Sequence, residues 1–372
     1  MTRREIRYPY KYDPKRRKLA EKYVKGRLHS FIINGIIIPL LALYILVAGG
    51  ASAGLRDLLL AYGFWLHVVL YAIILFTYMF LVRLPLGFYY SYVREHRYKL
   101  SRHTVRSWFS DLTKGTFLGY VFFTAAALVL YHFLQFQLWW LYVSISYAIF
   151  IIFINYAFPV IIFPLFYKTK PYADRRMIKR LKQMTARYGV HISTVLVANE
   201  SAKSTKANAF FAGFGHTKRM VLFDTLIDNF TPAETETVVA HELGHYVNRD
   251  IFRGMIIDIL KTFAIFYIIS LFLNQAQDIS LLPSIMLFYM ILEIISLPFV
   301  NSYSRRVESQ ADFFALEAAK KPEAQISTER RLVDMALDLE RHHPLVEFFL
   351  HTHPSAYKRI KMCEEWRRKA RK

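Results

Sequence analysis

Residues 238–250 read VVAHELGHYVNRD, and residues 251–273 follow directly as IFRGMIIDILKTFAIFYIISLFL. The second stretch is apolar over the roughly 20 residues that a helix needs to cross a bilayer. The first contains two histidines four residues apart with a glutamate beside the first, a polar pattern whose chemistry depends on water. This junction decides the class of fold, because it joins a hydrophilic site to a membrane-embedded chain.

The composition favours a membrane protein. Of the 372 residues, 54% are hydrophobic and 16% are aromatic, which is more apolar than a soluble domain of this length requires. The formal net charge is +21 at pH 7, but the basic residues flank the apolar stretches, so we expect anionic membrane lipids and no nucleic acid as partners. Cys363 is the only cysteine, which excludes an intrachain disulfide and a cysteine-based zinc site.

Six segments are long and apolar enough to span a bilayer: residues 28–48, 58–82, 115–134, 138–166, 251–273 and 281–300. Lysine and arginine alternate between the connections. Residues 1–27, 83–114, 167–253 and 301–372 carry eleven, seven, fourteen and fifteen of them, whereas 49–57 carries one and 135–137 and 274–280 carry none. Because cytoplasmic loops are rich in these residues, the alternation predicts that both termini and residues 167–250 lie on the cytoplasmic side.

The predicted fold class is mainly α: a multi-pass membrane protein with a small α+β domain on its cytoplasmic side. It has a basic N-terminal segment (1–27), a four-helix membrane region (28–166) with a basic connection (83–114), the small domain (167–250), a membrane hairpin (251–300) and a cytoplasmic-side segment (301–372). The membrane is the cell membrane in a prokaryote and the endoplasmic reticulum membrane in a eukaryote. Four charged residues in the fifth and sixth segments are expected to face protein or water, or to pair with one another: Arg253, Asp258, Lys261 and Glu293.

Within the small domain the pattern predicts helices and strands. Residues 175–189, RRMIKRLKQMTARYG, form an amphipathic helix closed by Gly189, and VHISTVLVA (190–198) reads as a strand. NAFFAGFG (208–215) and KRMVLFD (218–224) predict two strands joined by a turn around Gly213–Lys218, and hence a small antiparallel sheet. Thr231 and Glu234 form a capping box with Pro232 at the first helical position, so a helix begins there and runs through His245.

The histidine pair then lies on that helix. Residues four apart are separated by about 400° of rotation, so His241 and His245 share one face and can reach the same metal ion. Glu242 lies about 100° away from His241, where it can act as general base on a water without displacing either ligand. The alternative is a pair of ordinary surface histidines beside a solvated glutamate.

A catalytic zinc needs a third protein ligand. Glu308 and Asp312 lie four residues apart where the chain re-emerges from the sixth segment, at the level where it left at residue 250. A hairpin of two membrane helices therefore brings them back beside the histidines. The alternative is a helix surface on which Glu308 pairs with Arg305 and Asp312 faces water.

Four further histidines, at positions 342, 343, 351 and 353, follow in RHHPLVEFFLHTHPSAYKRI. His353 stands immediately before Pro354, at a predicted helix start. An imidazole there can stabilise the negative charge that develops on a tetrahedral intermediate. The alternative is that all four are surface residues.

The chain resembles the type I CAAX prenyl proteases, integral-membrane zinc metalloproteases that trim prenylated proteins. The matching blocks span nearly the whole chain in the family's order: LPLGFYYSYVREHRYKLS (84–101), NYAFPVIIFPLFYK (155–168), NAFFAGFGHTKRMVLFDTLID (208–228), HELGH (241–245), SRRVESQADFFA (304–315) and HTHPSAYKRI (351–360). The resemblance implies that the six membrane helices enclose a hollow, water-filled chamber that the metal faces. Water would then reach a site that lies among lipid-spanning segments.

The resemblance also assigns roles. It implies that His241, His245 and Glu308 bind one zinc ion and that Glu242 activates the attacking water. It implies that Asp312 supports a ligand from behind and that His353 stabilises the oxyanion. Asn208, with Ala209 in the edge strand, would hold the backbone of a peptide or protein substrate, with or without a lipid.

Two departures from the family leave the substrate open. Eukaryotic members usually carry a seventh membrane helix and a longer insertion before the HELGH helix, and this chain has neither. One alternative is therefore a quality-control protease of the HtpX type that does not require a prenyl group. Another, from a different class, is a non-catalytic transporter or scaffold with a four-ligand structural metal. The sequence leaves the oligomeric state open.

Overall fold

A computed structural model describes residue 6 and residues 8–212, 218–273 and 278–371. Most of the turn predicted around Gly213–Lys218 lies outside the described residues. The helices, in chain order, are α1 (Pro14–Ala48), α2 (Ala51–Leu58), α3 (Phe64–Arg97), α4 (Val105–Phe133), α5 (Trp139–Phe166), α6 (Arg175–Ala186), α7 (Asp224–Asn229), α8 (Pro232–Val247), α9 (Asp250–Phe272), α10 (Ile279–Ala319), α11 (Pro322–Met335), α12 (Pro344–Leu350) and α13 (Ala356–Ala370). The strands are β1 (Thr169–Pro171), β2 (Thr194–Ala198), β3 (Ala209–Ala212) and β4 (Arg219–Phe223).

Six helices among the described residues are long and apolar enough to cross a membrane, which confirms the predicted spans. They are α1, α3, α4, α5, α9 and α10. Several continue beyond the predicted segments. In particular, α10 runs without a break to Ala319, so the segment that carries Glu308 is a rigid extension of the last membrane helix.

The six spans form a closed ring. Within the described residues, extensive packing joins α1 to α3, α3 to α4, α4 to α5, α5 to α9, α9 to α10 and α10 back to α1, but no pair across the ring. At the end remote from the sheet, five of the spans meet in one buried apolar cluster that includes Tyr71, Leu130, Trp139, Ile269 and Leu282. The ring is therefore plugged at that end.

The spans leave much of their apolar surface accessible. Only 11–22% of the apolar window of each span is buried. The accessible surface is 21150 Å² for a 43.8 kDa chain, whereas a compact protein of that mass exposes about 15,000 Å². The packing order of the spans agrees with the expected ring of helices, and the water-filled chamber inside it stays a prediction.

The charged residues of the spans α9 and α10 pair with one another. Lys261 Nζ lies 2.9 Å from Asp258 Oδ1 and 2.8 Å from Glu293 Oε1, and Tyr147 of α5 donates a hydrogen bond to Asp258. This network joins α5, α9 and α10. Arg253 differs, because its side chain is 54% exposed and lies 3.8 Å from Asp250.

The sheet is mixed, so the prediction of a small antiparallel sheet is wrong in one pairing. Its order is β1-β2-β4-β3; β3 and β4 pair antiparallel as expected, but β2 and β4 pair parallel. The reason is that the chain leaves β2, passes the position of β4 and forms β3 at the edge before returning as β4. Sequence adjacency of β2 and β3 therefore does not become spatial adjacency. The short strand β1 was not predicted, since its three exposed residues carry no alternation.

Helices α6 and α8 cover the sheet. Leu181 of α6, Leu222 of β4 and Val239 of α8 are fully buried in one core. The predicted helix 175–189 is confirmed as α6, and Gly189 follows it with φ +72°, a left-handed conformation that favours glycine. The predicted capping box also forms, because Thr231 N–H donates to Glu234 Oε2 at 2.8 Å and Glu234 N–H donates to Thr231 Oγ1 at 3.3 Å.

Gly244 sets the distance between α8 and α10. A Cβ atom on this residue would lie 3.1 Å from the Cα of Ala311 and 3.2 Å from the Cβ of Phe314. Only a glycine lets the two helices approach this closely without a shift. The approach brings the cytoplasmic extension of α10 against the face of α8 that carries the two histidines.

Candidate metal centre

Two helices bring three ligand-type side chains to one point. His241 and His245 lie one turn apart on α8, with their Nε2 atoms 3.1 Å apart. Glu308 of α10 reaches them with Oε2 3.3 Å from His241 Nε2 and Oε1 3.6 Å from His245 Nε2. One ligand atom from each of the three residues lies within 4.8 Å of the others, so the group can hold a metal ion.

The position of Glu308 decides between the two alternatives left by the sequence. Arg305 does not pair with it; the guanidinium instead donates to the backbone oxygens of Glu347, at 2.8 Å, and His351, at 2.7 Å. Glu308 points inward and is mostly buried. The return of the membrane hairpin therefore brings this carboxylate to the histidines.

The donor set fits a divalent cation such as zinc. Glu308 Oε2 is buried and, among the described residues, has no hydrogen-bond donor, although a carboxylate oxygen removed from water needs a positive partner. The Nε2 atoms of both histidines lie beside the two carboxylate oxygens of Glu308. Two imidazoles and one carboxylate form the three-ligand set of hydrolytic zinc sites, which leave a further position for water.

Each histidine is held from behind by a carboxylate. Asp312 Oδ1 lies 2.9 Å from His241 Nδ1, and Asp250 Oδ2 lies 3.0 Å from His245 Nδ1. A carboxylate at Nδ1 fixes the proton on that nitrogen and leaves the Nε2 lone pair free for a metal. Asp312 thus lies where the resemblance requires a supporting residue.

Asp250 was not predicted from the sequence. It is the first residue of α9, five residues beyond His245, and the turn between the two helices passes through Arg249 at φ +56°. That left-handed residue turns the chain back, so the Asp250 side chain meets the histidine. The available signal was an acidic residue three positions after the end of α8, at the start of the next helix.

Arg359 of α13 is the second residue that sequence reasoning missed. Its Nε donates to Asp312 Oδ2 at 2.7 Å, and its Nη1 lies 2.8 Å from Glu329 Oε2. Burial lowers the pKa of Arg359, but the carboxylates of Asp312 and Glu329 raise it by more. The pKa therefore lies above its ordinary value, and the guanidinium stays charged. The available signal was an arginine six residues after His353, within the block HTHPSAYKRI (351–360).

The carboxyl group of Glu242 has a perturbed pKa. It lies on α8 between the two histidines, and burial raises the pKa of its carboxyl above the usual range, with opposition from His241 and His245. A carboxyl with a raised pKa can accept a proton and return it near neutral pH.

His353 reaches the same cluster from the segment between α12 and α13. Its Nε2 lies 3.2 Å from Glu308 Oε1, while its side chain remains 58% exposed. His342 and His351 stack on each other instead, with ring centroids 3.9 Å apart, and take no part in the cluster.

Ala209 begins the edge strand β3, which packs against α8, and Asn208 immediately precedes the strand. The backbone oxygen of Asn208 accepts a hydrogen bond from Phe223 N–H at 3.0 Å, and its side-chain oxygen accepts one from Ala209 N–H at 2.8 Å. β4 occupies one edge of β3. The other edge has no strand beside it within the described sheet.

The geometry agrees with the comparisons to known proteins. The family model described as peptidase family M48 matches residues 171–367. The chain belongs to peptidase family M48. A second model, described as CAAX prenyl protease N-terminal with five membrane helices, matches residues 10–168 of this M48 chain, where the structure has the four spans α1, α3, α4 and α5.

Relatives and a solved structure extend the similarity over the whole chain. The uncharacterized metalloprotease YhfN of Bacillus subtilis is 28% identical over 95% of this chain and 86% of its own length. CAAX prenyl protease 1 of Saccharomyces cerevisiae is 33% identical over 50% of this chain and 42% of its own. The crystal structure of S. mikatae Ste24p has a TM-score of 0.76 at 24% identity, covering 94% of this chain and 88% of that one, which supports the fold.

These findings confirm the predicted class of protein. The M48 chain is a multi-pass membrane metalloprotease, and the resemblance to CAAX prenyl proteases is confirmed at the level of the family. A non-catalytic transporter or scaffold does not explain a match to a peptidase family over more than half of the chain.

Proposed function

We propose that this M48 protease is a zinc-dependent endopeptidase in which His241, His245 and Glu308 hold one zinc ion. The observation that carries the proposal is the meeting of two imidazole Nε2 atoms with a buried carboxylate oxygen that lacks a donor among the described residues. Asp312 and Asp250 orient the imidazoles, and Arg359 holds Asp312 in place.

Zinc held by these three residues would supply Lewis acidity, which makes a water molecule nucleophilic near neutral pH. Glu242 takes a proton from the water as its oxygen attacks the scissile carbonyl carbon, and gives that proton to the amine as the peptide C–N bond breaks. The raised pKa of the Glu242 carboxyl suits both transfers. His353 contributes a hydrogen-bond donor to the oxyanion of the tetrahedral intermediate. The His353 side chain is 58% exposed, which leaves room for a substrate carbonyl beside it.

We infer that an extended peptide binds along the free edge of β3. A hydrogen bond to the Ala209 carbonyl and one donated by the Asn208 side-chain amide would hold its backbone whatever its side chains are. Asn208 suits this role, since its side-chain oxygen accepts from Ala209 N–H and, among the described residues, its amino group donates to no other atom.

The substrate class we favour is a peptide or protein with a C-terminal lipidated cysteine. Similarity to proteins named CAAX prenyl protease 1 supports it. A chamber between the six spans would admit a lipid tail from the bilayer. The charge of +21 supports anionic membrane lipids as partners, with both termini and the metal centre toward the cytoplasm.

Two comparisons test the proposal. Purified Glu242→Ala should retain zinc and lose hydrolysis, and undiminished cleavage would rule out this mechanism. Cleavage of a farnesylated peptide should exceed cleavage of the same peptide without the lipid. Equal rates would favour the alternative of a quality-control protease that is indifferent to prenyl groups.

A further inference from the structure

A shelf of two aromatic rings and one cation lies beside the general base on α8. Tyr246 follows Glu242 by four residues, so the two side chains share one face of the helix. The Tyr246 ring contacts the ring of Phe211 on β3, with centroids 5.7 Å apart, and Lys218 Nζ lies 4.8 Å from the centre of the Tyr246 ring. The proposed function does not yet use these three residues, Phe211, Lys218 and Tyr246.

The alternation of side chains along the strands explains why the three residues meet. Successive residues of a strand point to opposite faces of the sheet. Phe211 and Met220, its register partner on β4, pack in the core between the sheet and α8, whereas Phe210 and Ala212 pack in the cluster on the other face. Lys218 stands two residues before Met220 and therefore continues the face that looks toward α8.

The positive charge of Lys218 is not neutralised by the part of the chain that the structure describes. Within that part, no carboxylate oxygen lies at ion-pair distance from its Nζ. The side chain is half-buried against the Tyr246 ring, so water and salt screen its charge less than they screen an open surface lysine. Lys218 can therefore attract a negatively charged group of a bound peptide.

A peptide on the free edge of β3 would pass this shelf. The hydrogen bonds proposed at Asn208 and Ala209 place the scissile bond near the start of β3. A peptide that pairs antiparallel with β3, the commoner form of pairing, runs from Ala212 toward Ala209. The residues on the N-terminal side of the scissile bond therefore lie along Phe211 and Ala212, at the end of β3 where the shelf is.

One side chain of that peptide is directed at the shelf. Cross-strand neighbours point to the same face of a sheet, so the peptide residue opposite Phe211 turns its side chain toward α8 and the Tyr246 ring. Two strand spacings, about 10 Å, separate β4 from the peptide. Lys218 Nζ lies over the Tyr246 ring, which itself contacts β3, so the cation extends from β4 toward the peptide. An acidic side chain has to span only the remaining distance.

We propose that Phe211, Tyr246 and Lys218 form a specificity subsite that selects an acidic side chain, aspartate or glutamate, about two residues before the scissile bond. The two rings pack against the methylene groups of that side chain, and Lys218 pairs with its carboxylate. A neutral side chain lacks the ion pair, and a lysine or arginine at this position is repelled. The inference rests on the proposed endopeptidase function and adds to it a preference for acidic sequence on the N-terminal side of the bond.

Peptide binding tests the proposal separately from cleavage. Full-length, zinc-loaded Glu242→Gln protein in detergent is titrated with a neutral, farnesylated, fluorescent decapeptide in which glutamate, glutamine or lysine replaces each residue in turn. At one position only, glutamate should bind about three- to tenfold more tightly than glutamine, and lysine more weakly than glutamine, because a half-buried ion pair is gained or opposed. Mass spectrometry of the products of the active protein should place the cleaved bond about two residues after that position.

Substitutions of Lys218 assign the preference to this residue. Lys218→Gln should bind the glutamate and glutamine peptides equally, Lys218→Glu should prefer lysine, and Lys218→Arg should keep the preference of the parent protein. Each ratio compares peptides on one protein, so a general loss of affinity does not change it. Lys170→Gln, which removes an exposed cation on the opposite edge strand β1, is the matched control and should keep the full preference. If the Lys218 variants do not fold, the position of the preference in the parent protein decides.

Three results would overturn the proposal: equal binding of the three peptides at every position, a glutamate preference of the same size at all positions, which net charge alone explains, or a preference that survives in Lys218→Gln. Binding of none of the peptides would overturn it as well. The endopeptidase assignment is judged separately, by Glu242-dependent hydrolysis in the active protein.

Discussion

Asp250 provides a sharp test of how the metal site is held. The change Asp250→Asn keeps the shape of the side chain but removes the negative charge 3.0 Å from His245 Nδ1. An asparagine oxygen still accepts a hydrogen bond, so orientation of the imidazole weakens without being lost. Residues that hydrogen-bond a metal ligand from behind contribute about ten- to a hundredfold to metal affinity. Because Asp250→Asn keeps a hydrogen-bond acceptor, we expect a loss of affinity at the lower end of this range, about tenfold.

The assay is competition with a zinc chelator, which gives the zinc dissociation constant of the purified protein. Zinc affinity should fall about tenfold in Asp250→Asn, while the turnover number at saturating zinc changes little. Arg253→Gln is the matched control, because Arg253 lies 3.8 Å from the same carboxylate without touching the histidine. Unchanged zinc affinity in Asp250→Asn, or an equal fall in Arg253→Gln, would refute the role assigned to Asp250.

Three further substitutions have expected outcomes. Asp312→Asn should lower both zinc affinity and melting temperature more than Asp250→Asn does, because it also leaves the largely buried Arg359 with one carboxylate partner fewer. Equal effects of the two variants would contradict this ranking. Gly244→Ala should destabilise the fold by about 1–3 kcal/mol and lower zinc occupancy, because the new Cβ lies 3.1 Å from Ala311 Cα; an unchanged melting temperature would show that α10 yields easily. Burial, and then His342, lower the pKa of His351 to about 4, below its ordinary 6.5. The stability contributed by this neutral histidine is present above about pH 6.5 and is lost as the pH falls toward 4. His351→Gln should therefore reduce the fall in melting temperature between pH 7 and pH 5. If the fall is unchanged in the variant, His351 is not its cause.

Much of the fold follows from local patterns in the sequence. The six spans are visible because each carries about 20 apolar residues, and the start of α8 is visible because Thr231, Pro232 and Glu234 form a capping motif. These signals are short-range. Each depends on residues that are neighbours in the chain, so no knowledge of tertiary structure is needed.

The arrangement of the sheet and of the deeper part of the site depends on long-range contacts. The parallel pairing of β2 with β4 is decided by the path of the chain past the edge, which hydropathy does not encode. Glu308 was accessible to prediction because a two-helix hairpin must return to the same membrane face. Asp250 and Arg359 were not, since the first depends on one left-handed residue and the second on the packing of α13 against α10.

Zinc content tests the central claim most directly. Metal analysis of the purified protein should find one zinc per chain, and Glu308→Ala should lose it although His241 and His245 remain. Lys170→Ala, on the exposed edge strand, serves as the control and should retain the metal. A protein that purifies without zinc under metal-replete conditions, or a Glu308→Ala variant that still binds it with full affinity, would contradict the three-residue metal centre.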